Sequence, residues 1–216
     1  MNLTLPEPTL TPQDPRHAAA ACRDALAPAL SADWTVRAGE LEWTCRRTLD
    51  HIVDTLALYT ASVGSRATGR IPLPRNGDPE ASLEALLTLV EIGAAVLAEV
   101  ASAAPPGTRI FHPAGLADIS GYLAIACEEI LVHAHDITLG LDCPFSPPND
   151  LVVRVLARLF PWAPTDVDPW PALQWATGRI GLPDHPRLGP DWYWHCAPLA
   201  EWDGTVKKRL APPAWR

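Results

Sequence analysis

Glu129 and His133 stand four residues apart in a segment, residues 121–136, that is otherwise rich in Ala, Leu, Ile and Val. At roughly 100° per residue of helix, Tyr122, Ile125, Ala126, Glu129, Val132, His133, Asp136 and Gly140 project to one side. Three polar groups thus interrupt a stripe of core type. A buried carboxylate without a partner costs several kcal/mol, so a compensating charge is required. A divalent metal shared by Glu129 and His133 would supply it. Their spacing is that of half a metal site on one helix, and another element must bring the rest.

The remaining histidines are the first place to look for a third ligand. His17 and His185 lie in polar or Pro-rich surroundings and are expected at the surface. His112 is expected to open the helix that carries Glu129. At about 1.5 Å rise per residue it would stand roughly 25 Å away along the axis, too far to share a metal. His135 is turned by roughly 120° from Glu129 and shares its side with Glu128, which predicts a solvated His–Glu side. His195 alternates with Trp192 and Trp194 and is expected at a rim. His51 is the best candidate, in mid-helix at the edge of a stripe formed by Trp43, Cys45, Leu49, Ile52, Leu56 and Tyr59. Two readings stay open for it: a ligand presented by a facing helix, or a partly buried histidine bonded to a backbone or threonine oxygen.

The elements that must position these residues are helical. Helices are predicted over residues 15–30, with Asp14 as N-cap, and over 42–62, 79–103 and a stretch running from just after Pro113 to Gly140 as a terminating glycine. A Gly- and Pro-rich loop, 64–79, separates the second from the third. The expected fold is mainly α: a four-helix bundle over residues 1–142 and a Pro- and Trp-rich appendage over 143–216. In the appendage, helices are expected over 149–160 and 170–177, then two short strands, 179–183 and 191–196, as a hairpin. Seven of the nine tryptophans lie from Trp162 onward, placed to pack on the bundle and wall a pocket.

Composition narrows the partners. The 216 residues are 48% hydrophobic and 19% charged, as a folded domain requires, and carry a net charge of −8. That charge argues against nucleic acid and anionic membranes and for a small-molecule substrate. Five cysteines without paired close spacing suit reduced, buried thiols. Residues 1–15 show neither a basic nor an apolar leader pattern, so a cytoplasmic location is expected.

The segment Trp43-Thr44-Cys45-Arg46-Arg47-Thr48-Leu49-Asp50-His51 resembles the "Trp-Thr-x-x-x-x-Leu-x-His" opening of the DinB-like superfamily, in the branch containing mycothiol-dependent maleylpyruvate isomerase. Glu129, His133 and Asp136 match the same branch's "Glu-x-x-x-His-x-x-Asp" signature. The segments 111–115 and 176–179 also look like parts of it, and the resemblance spans about residues 15–183. It implies a DinB-like bundle that binds one divalent metal, usually zinc, through His51, Glu129 and His133. This chain departs from the branch after the bundle, where only about 70 residues follow in place of a sizeable α/β domain.

Three protein ligands leave zinc an open position, as catalytic zinc requires. The expected function is therefore a metal-dependent enzyme that activates a low-molecular-weight thiol, in the family's case mycothiol, for isomerisation or S-transfer on an electrophile. Asp136 would orient a ligand. Arg179 would meet an anionic substrate group, or else be a surface arginine. Two other functions are compatible with the residues: thiol-independent Lewis-acid or metal-water chemistry in a biosynthetic pathway, and a non-catalytic bundle that binds a small ligand.

Overall fold

The computed structural model describes residues 9–210. Residues 1–8 of the N-terminal segment read for a leader pattern, and Trp215, lie outside the described residues. The chain is mainly α: α1 (Asp14–Leu26), α2 (Cys45–Ser65), α3 (Leu83–Ser102), the strands β1 (Ile110–His112) and β2 (Gly115–Ala117), α4 (Ile119–Gly140), α5 (Asn149–Leu159) and α6 (Pro169–Ala176). α1 packs on α3 and α4, α2 on α3 and α4, and α5 bridges α4 and α6. One apolar core runs from Leu10 through the four long helices to Trp192, Trp194 and Cys196, without a break at residue 142.

Side-chain caps set where the long helices start. Thr44, Ser82 and Asp118 each accept a hydrogen bond from the backbone N–H three residues on, at 3.1, 3.1 and 2.7 Å. Asp14 differs from its expected role. It is the first helical residue, and its carboxylate accepts from Thr11 N and pairs with Arg154 of α5 at 2.6 Å.

α4 is the axis of the molecule. Every residue from Gly121 to Ala134 is buried, because α1, α2, α5 and the C-terminal segment cover it on all sides. A helix that is apolar nearly all round has this fate. Its start is later than expected: an antiparallel hairpin, with Phe111 opposite Leu116, occupies the stretch before Ile119. Its end differs as well. Gly140 is the last helical residue rather than a left-handed terminator, and a Cβ there would collide with the Arg37 carbonyl oxygen and Cys45 Sγ. Glycine is required at that position by close approach, where the start of α2 crosses the end of α4.

The appendage forms α5 and α6 as expected, and Gly178 ends α6 at a φ of +68°. No strand forms over 179–183 or 191–196; only single bridges, Leu182 with His185 and Trp192 with Lys208, occur there. Trp192, Trp194, His195 and Cys196 are all buried, so the alternation read from the sequence does not separate an inner from an outer face. Among the described residues one helix, α3, is long and apolar enough to cross a membrane; here it lies packed on α1 and α2 with Leu89, Ile92 and Val96 exposed.

The crossing at Gly140 yields a test. On helix propensity alone Gly140→Ala would gain about 0.5–1 kcal/mol. The collision reverses the sign, and a loss of roughly 1–3 kcal/mol is expected in urea unfolding.

Candidate metal centre

His51, Thr55 and Tyr59 recur every four residues on α2 and face α4, where Glu129, His133 and Asp136 recur at four and three. The two helices pack directly, and the facing side chains converge. Glu129 Oε2 lies 3.3 Å from both His51 Nε2 and His133 Nε2, and the three atoms all fall within 4.8 Å of one another. A tetrahedral zinc with bonds of about 2.0–2.1 Å separates its ligand atoms by about 3.3 Å, so the two carboxylate edges already match. His51 is 3% exposed and Glu129 8%, which makes the three a buried cluster able to hold a metal ion. The other reading of His51, a histidine bonded to a backbone or threonine oxygen, has its threonine contact in Thr55 Oγ1, 3.5 Å from Nε2.

Each ligand is held from behind. Tyr59 donates its hydroxyl to Glu129 Oε1 at 3.2 Å, leaving Oε2 for the histidines. Asp136 Oδ2 lies 3.0 Å from His133 Nδ1, so Nδ1 carries a proton and Nε2 points at the shared position. Metal-binding histidines are oriented by such carboxylates. Arg179 in turn grips both oxygens of Asp136, at 2.8 and 3.3 Å, and donates to the Thr177 carbonyl. Arg179 is thus paired with Asp136, and the two line a second cavity, besides the one described below, together with Arg37, His135, Gln174 and Arg187. With its side chain 11% exposed, it is not a surface arginine.

The electrostatics follow from these pairs. Burial works against a charged His133, but the Asp136 and Glu129 carboxylates outweigh it and push its pKa up to about 9. Burial also opposes charge on Glu129, yet the two histidines hold it well below the usual carboxylate range. Burial lowers His51 despite Glu129. Without metal, therefore, His51 is neutral and His133 is an imidazolium between two carboxylates. A divalent cation held there would take the place of the proton on Nε2, as metal binding to histidine sites generally requires.

The loop after α2 closes the site from above. Asp54 Oδ2 accepts from Gly77 N at 3.2 Å, and Asp50 is buried beneath the same residue, where a Cβ would fall 2.7 Å from its Cγ. Gly77 has a φ of +72°, which, with that contact, excludes a side chain. Arg47 donates to the Arg75 carbonyl at 2.9 Å. So held, Arg75 reaches Thr55 Oγ1 at 2.7 Å and His51 Nδ1 at 3.3 Å.

A cavity of about 230 Å³ opens beside the triad, lined by His51 and Glu129 and walled by Tyr59, Phe111, His112, Tyr122, Tyr193 and Trp194. The wall from the C-terminal segment matches the role expected of the tryptophan-rich tail. Arg70, Arg75 and Arg209 also line it. Sequence reasoning missed all three, since nothing marks a loop arginine as facing a distant helix.

Four histidines sit elsewhere than expected. His112 is not helical; the hairpin turns it back into the cavity wall, against Tyr59, Tyr122 and Trp194 at 6.1, 5.8 and 5.5 Å between ring centres. The axial distance assumed a helix that has not begun. His112 stays outside the ligand cluster, and burial pushes its pKa down to about 4. His135 meets Gln174 at 2.6 Å, and its neighbour Glu128 is buried and accepts from Trp194 Nε1 at 3.2 Å. Burial, then the nearby Glu129, raises Glu128 to about 8. The expected solvated side does not exist because α4 has no solvent face there. The near-continuous apolar run of residues 122–134 was the available signal. His195 is buried with Nε2 3.1 Å from the Pro198 carbonyl, and His185 is half-buried against Trp175; His17 is exposed as expected.

No protein-family model matches this chain, and no curated protein or solved structure matches it.

Two measurements test the site. Zinc titration of chelator-treated protein should give one tight site per chain. Glu129→Gln should weaken it by more than the roughly 10–100-fold typical of residues that merely orient a ligand, with helix content unchanged; equal affinity would make Glu129 a structural carboxylate. For His112, the unfolded chain takes up a proton below about pH 6.5 that the folded protein refuses until about 4. Stability contributed by the neutral ring is complete above pH 6.5 and is lost as pH falls toward 4. In urea unfolding, wild type should lose about 3 kcal/mol more than His112→Gln between pH 7 and 4.

Proposed function

We propose that the protein is a metal-dependent enzyme of the DinB-like kind, with zinc held by His51, Glu129 and His133. The observation that carries this reading is the position of the buried triad at one end of an aromatic-walled cavity, with two of its members, His51 and Glu129, exposed to that cavity. The pairwise packing of α1 with α3 and α4, and of α2 with α3 and α4, supports a DinB-like four-helix bundle. The Trp43-to-His51 and Glu129-to-Asp136 motifs supply the facing helices of the site.

The reaction we favour is attack of a low-molecular-weight thiol, mycothiol in the resembling branch, on a small electrophile, giving isomerisation or an S-conjugate. A divalent ion at the triad would supply Lewis acidity that favours the thiolate. The chain's own groups do the rest. Tyr59 and Asp136 keep the ligand atoms aimed. Tyr122 anchors its hydroxyl on the Phe111 carbonyl at 2.5 Å, and Trp194 anchors on Glu128, which fixes two walls and excludes water. At about 230 Å³ the cavity is below the roughly 300–1,000 Å³ of pockets that enclose drug-sized ligands. It takes the reactive arm of a thiol, not a whole mycothiol beside a substrate. The same volume favours a second reading, in which the metal serves thiol-independent chemistry on one small molecule.

Zinc-loaded protein should consume mycothiol in the presence of a cis-enone or alkyl halide, or isomerise the enone only when mycothiol is added. His51→Ala should abolish the rate. Turnover indifferent to any thiol would replace this reading with the second. Absence of metal after gentle purification would instead favour a non-catalytic ligand-binding protein.

A further inference from the structure

The cavity beside the triad is cationic in a chain of net charge −8. Arg70 and Arg75 enter it from the loop after α2, and Arg209 from the far end of the described chain. Many arginines elsewhere meet carboxylates, among them Arg16 with Glu99, Arg47 with Asp54, Arg109 with Glu201, Arg154 with Asp14, Arg158 with Asp118 and Arg179 with Asp136. Among the described residues, neither Arg70 nor Arg75 forms such a pair. Glu129 is the one carboxylate among the described lining residues, and it is already engaged by His51, His133 and Tyr59. A cleft of one sign with low-dielectric walls concentrates ligands of the opposite sign.

The placement of the guanidinium groups narrows the ligand. Arg209 stacks on Trp192, Tyr193 and Trp194, with its central carbon 5.2, 4.6 and 5.1 Å from the ring centres, and donates to the Trp192 carbonyl at 3.1 Å. These contacts hold the plane of a group whose fork geometry suits carboxylate or phosphate. Arg75 stands against Nδ1 of His51, behind the ring whose Nε2 faces Glu129, so an anion that it holds lies at the rim of the triad rather than on it. Between the arginines the wall is aromatic. Aromatic faces with a few placed polar groups select a flat apolar body and fix its orientation.

We propose that this cavity binds a small organic oxyanion, a carboxylate or phosphate borne on a planar apolar body, with the anion on Arg75 and Arg70 or Arg209 and the body against Tyr193 and Trp194. This names the substrate class of the site read above as a metalloenzyme's and rests on that reading for its catalytic meaning. None of the three arginines belongs to the candidate ligand set, so anion binding can be measured separately from metal binding.

The test uses chelator-treated full-length protein, calorimetry and tryptophan fluorescence. Benzoate and phenyl phosphate are the probes; benzamide is the uncharged counterpart, and acetate lacks the ring. At least one of the two aromatic anions should bind about tenfold more tightly than benzamide and than acetate, and weaken with added salt. The tighter of the two identifies carboxylate or phosphate as the preferred group. Arg75→Gln should weaken the aromatic anion by about tenfold, equivalent to about 1.4 kcal/mol. Arg70→Gln, a change in an exposed loop, should weaken it in the same direction with no effect on folding. Equal binding of benzamide, no binding of either aromatic anion at millimolar concentration, or wild-type affinity in both variants overturns the proposal. Zinc titration of the same samples separates the two readings. Arg75→Gln should bind zinc at least as well as wild type, because it removes a cation beside His51. Intact zinc binding without anion binding overturns the oxyanion proposal alone. Anion binding without a zinc site overturns the metal reading alone.

Discussion

The burial of α4 on every side is the constraint from which the rest of the site follows. A helix threaded through the middle of a core has no solvent face on which to place charge, yet this one carries Glu128, Glu129, His133 and Asp136. Each must find a partner within the protein. Glu129 and Asp136 face the two ring nitrogens of His133, Nε2 and Nδ1 respectively. Arg179 is drawn in to complete Asp136, and Glu128 stays protonated near neutral pH under the Trp194 indole. The metal-ready arrangement is thus one member of a larger set of compensated buried charges. It differs from the others in having a cavity at its side.

Placing these charges on rigid elements makes the donor geometry independent of loops. His51, Glu129 and His133 come from packed helices, as do Tyr59 behind Glu129 and Asp136 behind His133. What loops contribute is closure and specificity. The Asp50 and Asp54 carboxylates tie down the turn at Gly77, and this carries Arg75 to the back of His51. The C-terminal segment brings Trp194 and Arg209 to the opposite wall. Side chains that converge from helices are held more rigidly than those that loops bring to the walls of a cavity.

The errors of the sequence reading share a cause. Periodicity assigns a residue to one side of a helix but does not say what lies beyond that side. His135 and Glu128 were placed in solvent because α4 was treated as having an outer face, which α5 and the tail remove. His112 was excluded by an axial distance that held only if the helix began before the hairpin. Arg179 is a residue after a left-handed glycine, and its turn toward Asp136 depends on how α6 docks.

Local chemistry sufficed for the helical segments and for the demand that Glu129 and His133 find a compensating partner, because these depend on spacing along one element and on the cost of burying charge; it singled out His51 as the best candidate for that partner but left its place open. The cavity, its three arginines, the inward turn of His112 and the requirement for glycine at Gly140 were decided by tertiary structure. They arise where segments remote in sequence meet. Which surface a side chain faces there is set by the packing of its neighbours, a quantity that no single stretch of sequence contains.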